Sequence, residues 1–347
     1  MVLKESHRKI AEAVLKKAQS RCRGGIDLLG VYGSASTGDL HCRSDLDLLI
    51  VLADENEWPA VSEAFILDDE QVGYDIYCTT WRMLEEDAEC SGANISKLMD
   101  SELLFAGSGE AAARLEALRN RAREILESDE RFGKAQEALQ RGFTPYALAM
   151  TADTMAKKRA YAAYVISQCM DAVMLFNGRW FRKGVKRTFE ELEGLILPVS
   201  FEENIRSVIR AENGNETDAA LTALLRSVMD MLRREEKRPR PSAEQLRGTY
   251  EEMYSNWRGK MREAADRGDE YVSFMSMAFM NYMLDGIAEN CEIPEYDLME
   301  DFSALDLGKN ADILDEVMEK YLQEYGKAGI EPKHYSDTDA FLKEYLG

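Results

Sequence analysis

The sequence has no run approaching the roughly 20 apolar residues that a membrane-spanning helix requires, which argues against an integral membrane protein. Its first 23 residues are charged throughout and lack an apolar centre, so they do not read as a secretory signal. Cysteine is scattered: Cys22, Cys42, Cys78, Cys90, Cys169 and Cys291 show no paired metal-ligand spacing. In a chain of this size they read as reduced thiols of a cytoplasmic protein, not as a disulfide framework. Basic charge is also short. Sixty-four acidic residues outweigh 43 basic ones, for a formal net charge of −21. Polynucleotide binders draw much of their affinity from cations that neutralise phosphates. The balance here argues against a nucleic-acid partner and favours small or cationic ones. No internal repeat is visible. Neither the G-x-x-x-x-G-K-[ST] phosphate loop nor the G-x-G-x-x-G dinucleotide fingerprint is present.

What remains is the composition of an ordinary globular protein, 45% hydrophobic and 31% charged over 347 residues, long enough for two or three domains. Ile10, Ala13, Val14 and Ala18 recur at helical spacing and predict an opening amphipathic helix over 4–23. Residues 28–32 read as a short strand, followed by a turn and short helix from Gly33 to Leu40. Residues 45–52 alternate at first and end in "LLIVL", as a central strand does. A third strand is predicted over 72–81, with Thr79-Thr80 placed to cap the next helix, and an edge strand ends at Gly107. A helix over 111–126 follows. Beyond it the pattern is helical: 145–176, stopped by Asn177-Gly178, then about 185–194, 201–211, 217–235, 243–256, 269–288, 309–325 and 337–346. The stretch from Arg234 to Ser242, charged and with two prolines, reads as an exposed joint. The expected architecture is α+β: a small domain over 1–128 with a short mixed sheet flanked by helices, then an all-helical domain over 129–347. A subdomain of the latter starts at about 240.

Two carboxylates stand out. Asp45 and Asp47 are two residues apart at the head of the "LLIVL" strand, so they project to the same side while Leu46 and Leu48 face the other way. Paired carboxylates repel unless a cation compensates, and hard oxygen ligands suit Mg²⁺, which also takes substrate phosphates. Gly33 and Ser34 directly follow the first strand, where glycine lets backbone approach a ligand and exposed amides can hold phosphate oxygens. Asp75 supplies a third acid within another strand.

"YGSASTGDLHCRSDLDLLIV" resembles the signature of the DNA polymerase beta-like nucleotidyltransferase superfamily: hydrophobic residue, Gly-Ser, a spacer of about ten residues, then Asp-hydrophobic-Asp-hydrophobic. Asp75 in "GYDIY" matches the third acidic strand of that family, and "ELLFAGSGE" resembles the strand and turn that close its minimal domain. The resemblance implies that Gly33 and Ser34 contact the β- and γ-phosphates of a nucleoside triphosphate, with ATP the expected donor. It implies that Asp45 and Asp47 hold Mg²⁺. Asp75 would complete a second metal site or draw the proton from the attacking hydroxyl. The layout is also similar to that of the two-domain antibiotic nucleotidyltransferases, the aminoglycoside and lincosamide group.

In the helical half, "GRWFRKGVKR" gathers Arg179, Arg182, Lys183, Lys186 and Arg187. A triphosphate carries more charge than Mg²⁺ alone cancels, so Lys183 and Lys186 are the first candidates for a supporting cation, against a solvated basic face as the plain alternative. Lys157, Lys158 and Arg159 form a second basic patch. Trp180 and Phe181 read as packing residues before base-stacking ones. His7, His41 and His334 read as solvated or structural. The expected reaction is transfer of a nucleoside monophosphate to a hydroxyl of a small molecule, an aminoglycoside-like one among the candidates, with release of pyrophosphate. A protein-adenylylating enzyme and a catalytically silent nucleotide-binding regulator are the alternatives.

Overall fold

The computed structural model describes residues 3–39, 44–184, 187–233 and 239–347. It divides into two units, Met1–Arg234 and Glu235–Gly347.

The first unit opens with α1 (Glu5–Arg21), which buries Ala11, Val14 and Ala18 along one face. There follow β1 (Ile26–Tyr32), α2 (Ser34–Thr37), β2 (Asp47–Leu52), β3 (Glu63–Leu67), β4 (Val72–Ile76), α3 (Trp81–Ala88), α4 (Ser96–Met99) and β5 (Glu102–Ala106). β1 lies between β2 and β5, antiparallel to both, while β3 and β4 form a separate antiparallel hairpin. The run "LLIVL" is unbroken because β2 is buried on both faces. Leu48, Ile50 and Leu52 join a core with α1 and the hairpin residues Val72 and Tyr74, whereas Leu49 and Val51 join a core built with the following helices.

The strand predicted over 72–81 is shorter than expected. β4 stops at Ile76, and a lone parallel bridge between Val51 and Thr79 ties the continuing chain to β2, with the Thr79 amide donating to the Ile50 carbonyl at 2.7 Å. Its hydrogen-bonding partner is β3, a strand the sequence does not announce. Glu63–Leu67 leaves Ile66 71% exposed and gains its form from pairing with β4. The cap at Thr80 is as predicted: its hydroxyl accepts from the Met83 amide at 3.2 Å and starts α3.

Next come α5 (Gly109–Glu127), α6 (Glu130–Arg141), α7 (Phe143–Met150), α8 (Met155–Phe176), α9 (Thr188–Glu191), α10 (Phe201–Arg210) and α11 (Gly214–Leu232). Buried residues of α8 and α11, among them Val165, Val173, Leu221 and Val228, share one core with Leu28, Leu49 and Val51 of the sheet. The single helix expected over 145–176 is two, because Thr154 caps α8 by accepting from the Lys157 amide and so makes a fresh start there. It ends as predicted, with Gly178 at φ +63° in the left-handed region beyond Asn177. The helix expected over 185–194 is reduced to α9 among the described residues, and α6 was not anticipated.

The second unit contains α12 (Ala243–Leu246), α13 (Thr249–Met253), α14 (Gly259–Arg267), α15 (Glu270–Asn290), α16 (Leu307–Lys327) and α17 (Thr338–Tyr345). Its core is rich in methionine and tyrosine: Met253, Met261, Met277, Met280, Tyr321 and Tyr325. A π-helical turn at Tyr254–Arg258 links α13 to α14, so the helix predicted over 243–256 is interrupted. The joint predicted at 234–242 lies partly outside the described residues. Ser242, at its end, forms a capping box with Gln245. The five described cysteines are buried, with no disulfide among them. No helix among the described residues is long and apolar enough to cross a membrane.

Candidate active site

β2 presents Asp47 on the same face as Leu49 and Val51, at the strand end where that core gives way to solvent. Asp45, two residues earlier, is exposed, and Leu46 and Leu48 turn into the opposite core. The register places Asp47 opposite Tyr32, the last residue of β1, and the chain then turns at Gly33. Gly33 has φ +66°, a conformation that L side chains rarely adopt. A Cβ there would lie 2.0 Å from Asp47 Oδ2. The turn is tied by the Gly33 carbonyl, which accepts from the Ser36 and Thr37 amides at 3.1 and 3.0 Å and from both hydroxyls.

Gly33, Ser34, Asp45 and Asp47 line one wall of a cleft of about 410 Å³. The four residues proposed from sequence on the donor side are therefore brought together. Asp75 is not among the lining residues. It is exposed on β4, paired with Ala64 of β3. Among the described residues no group of three acidic, histidine or cysteine side chains is gathered closely enough to hold a metal ion by itself. β4 spends its hydrogen bonds on β3 and packs beside β2, pairing with it only beyond its own end at the Val51–Thr79 bridge.

Further lining comes from two segments. Asn94, Ser96 and Lys97 lie on and before α4, and residues 181–184 follow α8. The second segment is held firmly. The Phe181 amide donates to the Ala93 carbonyl at 2.9 Å, and Trp180 Nε1 donates to Asp100 at 2.8 Å. Arg182 Nε reaches the other Asp100 oxygen at 3.0 Å, and Glu191 accepts from the Arg182 and Lys183 amides at 2.7 Å each. Phe181 is buried and Trp180 packs against the core, so both are packing residues.

The basic cluster separates by role. Arg187 grips Asp39 through two hydrogen bonds at 3.1 and 3.3 Å and also pairs with Glu190, and Arg182 is engaged by Asp100. Lys183 lines the cleft with no ion pair of its ammonium among the described residues. Lys186 and His41 lie outside the described residues. The other patch is structural. Buried Lys158 pairs with Asp218, Lys157 with Asp153, and Arg159 donates to the Ala211 carbonyl. His7 is fully buried, edge-on to Tyr74, as a structural reading requires.

Electrostatically the cleft floor is negative. Burial, reinforced by Asp47, Asp87 and Asp45, pushes the Tyr32 phenol up to about 12, so it stays protonated beside the carboxylates. Burial likewise raises Asp87 above the usual carboxylate range, with Lys97 pulling the other way. A second cavity of about 390 Å³ adjoins the first and shares Arg182 and Lys183 with it. Its remaining lining includes Arg179, Glu190, Glu191 and Glu193.

The donor set fits a divalent cation of the Mg²⁺ kind. Two carboxylates share a wall, and a glycine is packed so closely on one of them that nothing larger fits. Mg²⁺ commonly takes one or two carboxylates and completes its shell with water and substrate phosphate.

No curated protein matches the sequence significantly. Among solved structures, the nucleotidyltransferase-like protein from Exiguobacterium sibiricum 255-15 aligns over 81% of this chain and 90% of its own, at 13% identity and a TM-score of 0.33. That likeness is too slight to bear on the site. The nucleotidyltransferase domain family matches residues 7–101, a span that contains Gly33, Ser34, Asp45, Asp47 and Asp75. The N-terminal part of this chain, residues 7–101, is thus similar to nucleotidyltransferase domains, the kind whose polymerase beta-like signature the sequence resembles.

Proposed function

We propose that the protein transfers a nucleoside monophosphate from a nucleoside triphosphate, ATP, to a hydroxyl of a small, polar acceptor and releases pyrophosphate. The observation that carries this is the shared wall of Gly33, Ser34, Asp45 and Asp47, with Gly33 seated on the Asp47 carboxylate at a distance only glycine allows. Gly33 and Ser34 bind the terminal phosphates. Asp45 and Asp47 would hold Mg²⁺, which when bound disperses the negative charge that develops on the phosphoryl oxygens. Lys183, and Lys186 beside it in sequence, add positive charge from the segment after α8. The acceptor oxygen attacks the α-phosphorus in line with the departing pyrophosphate. Asp75 precedes the parallel Val51–Thr79 bridge by four residues, as Asp47 does on β2, and takes the proton of the acceptor hydroxyl.

The catalytic domain is 1–128, and the segment after α8, within the first unit, furnishes the acceptor wall. The adjoining cavity, with three glutamates and three basic residues, suits a polyol bearing amino groups, and the net charge of −21 concentrates cations near the protein. An aminoglycoside-like acceptor meets both conditions. The test is pyrophosphate release from ATP and Mg²⁺ across a panel of hydroxylated acceptors, with Asp47→Asn as the control. Turnover that disappears in the variant supports the reading. Label from ATP appearing on a protein instead would move the acceptor to the adenylylating class, and no turnover with any acceptor would overturn the transferase reading.

A further inference from the structure

Lys97 and Ser96 line the same cleft as the two aspartates, and neither family motif nor sequence reading singled them out. They stand between Ile95 and Leu98, which are 1% and 0% exposed, so the short helix α4 is pinned into the core on both sides of them. The Ser96 hydroxyl is buried and makes no hydrogen bond, one of few side-chain oxygens among the described residues left in that condition. A buried hydroxyl without a partner is costly, and in a native fold it points to a group missing from the structure. The Lys97 ammonium lies 3.4 Å from Asp87 Oδ2, with the two side chains only 19% and 21% exposed. At that separation the Asp87 carboxylate steadies the ammonium through charge and a long hydrogen bond. Lys97 is thus held in place by Asp87, and its ammonium carries three donors, more than this one contact engages.

The charge of the cleft asks for such a group. Asp39, Asp45 and Asp47 all line it, and a bound triphosphate would add several more negative charges. Of the basic side chains nearby, Arg187 is engaged by Asp39 and Glu190 and Arg182 by Asp100. Lys183 is exposed on its segment, so holding it on a phosphate costs side-chain entropy that a half-buried, pre-placed lysine does not lose again.

We propose that Lys97 and Ser96 are the polyphosphate anchor of the cleft, the lysine countering the charge of the β- and γ-phosphates and the serine hydroxyl donating to a phosphate oxygen, with Asp87 as the positioning residue of Lys97. This rests on the donor-site reading above. It makes the site selective for triphosphates over monophosphates, because the anchor touches only what a monophosphate lacks.

The test is calorimetric binding of ATP, AMP and inorganic tripolyphosphate, each with Mg²⁺, to the full chain. Lys97→Ala should weaken ATP and tripolyphosphate about 10- to 100-fold, as loss of a charged hydrogen bond does, and leave AMP within about 2-fold. Lys97→Arg should restore most of the ATP affinity, and Ser96→Ala should cost about 3- to 10-fold. Lys97→Ala strands the buried Asp87 carboxylate, so the neutral double variant Lys97→Gln with Asp87→Asn repeats the measurement should the single variant fail to fold. Asp45→Asn and Asp47→Asn are run alongside. If these lose Mg²⁺-dependent ATP binding while the Lys97 and Ser96 variants bind as wild type, the anchor is overturned and the donor site stands. If the wild type binds no ATP, both are overturned.

Discussion

Gly33 and Asp47 are in mutual contact across the first two strands: the α-carbon of the glycine faces the carboxylate so closely that a methyl group there would lie 2.0 Å from Oδ2. A turn residue and a strand residue 14 positions apart in sequence therefore specify each other. Gly33→Ala forces both a left-handed backbone on an L residue and a displaced Asp47. The expected stability cost is about 1–3 kcal/mol in a thermal or denaturant melt. The expected loss of transfer rate is on the order of 100-fold, because misplacement of a reacting group by about an ångström is enough for that. A variant with wild-type turnover would show that the close approach is incidental.

Asp47 and Asp75 should separate kinetically. Asp47→Asn is expected to abolish Mg²⁺-dependent ATP binding and to lower turnover by roughly 100-fold or more, the several kcal/mol a catalytic metal supplies. Asp75→Asn should leave the ATP dissociation constant within about 3-fold and lower kcat by about 100-fold, the range for a lost general base. An equal loss of ATP binding in both would place Asp75 with the metal ligands.

Asp100 is the hub of the segment after α8. Its side chain is 8% exposed and accepts from both Trp180 Nε1 and Arg182 Nε. Asp100→Ala leaves the Trp180 N–H without its acceptor, a cost of about 1–3 kcal/mol. Trp180 emission should shift to longer wavelength, with Trp180→Phe identifying the signal. Unchanged emission and melting would remove Asp100 from this role.

Asp171 of α8 gives a pH signature. It accepts from the Ala93 amide at 3.2 Å and the Asn94 side chain at 3.4 Å, and burial raises its pKa from 3.8 to about 6, against the opposing pull of the Ala93 amide and Arg141. The folded chain thus holds this proton more tightly than the unfolded one. The resulting stabilisation is full below about pH 4 and is lost as pH rises through about 6. Asp171→Asn lacks it, so the stability of wild type relative to the variant should fall between pH 4 and 7 by on the order of 3 kcal/mol. A pH-independent difference, measured by urea melts across that range, would refute the shift.

The donor side of the site was legible because its signals are local: a glycine turn, two acids at strand spacing and an unbroken apolar run each follow from backbone geometry within 20 residues. Helix limits set by short-range caps were legible for the same reason, at Thr80 and at Gly178. The break of the long helix at Thr154 was missed because the apolar rhythm runs through it, and a single capping hydroxyl decides the matter.

What the sequence by itself determined is the likeness to a nucleotidyltransferase domain, the alternation that sends Leu46 and Leu48 into one core, and the pairing of Asp45 with Asp47, since side-chain direction along a strand needs no tertiary information. Only the tertiary structure decided which cations reach the cleft. Arg182 and Arg187 are bound by acids 82 and 148 residues away, while Lys97, hidden in an unremarkable stretch, is pinned by Ile95 and Leu98 in the cleft that the aspartates line. It also decided that Asp75 sits on a hairpin strand and does not line the donor cleft. Strand partners are chosen by long-range hydrogen bonds, and β3, which no local pattern marks, claimed β4.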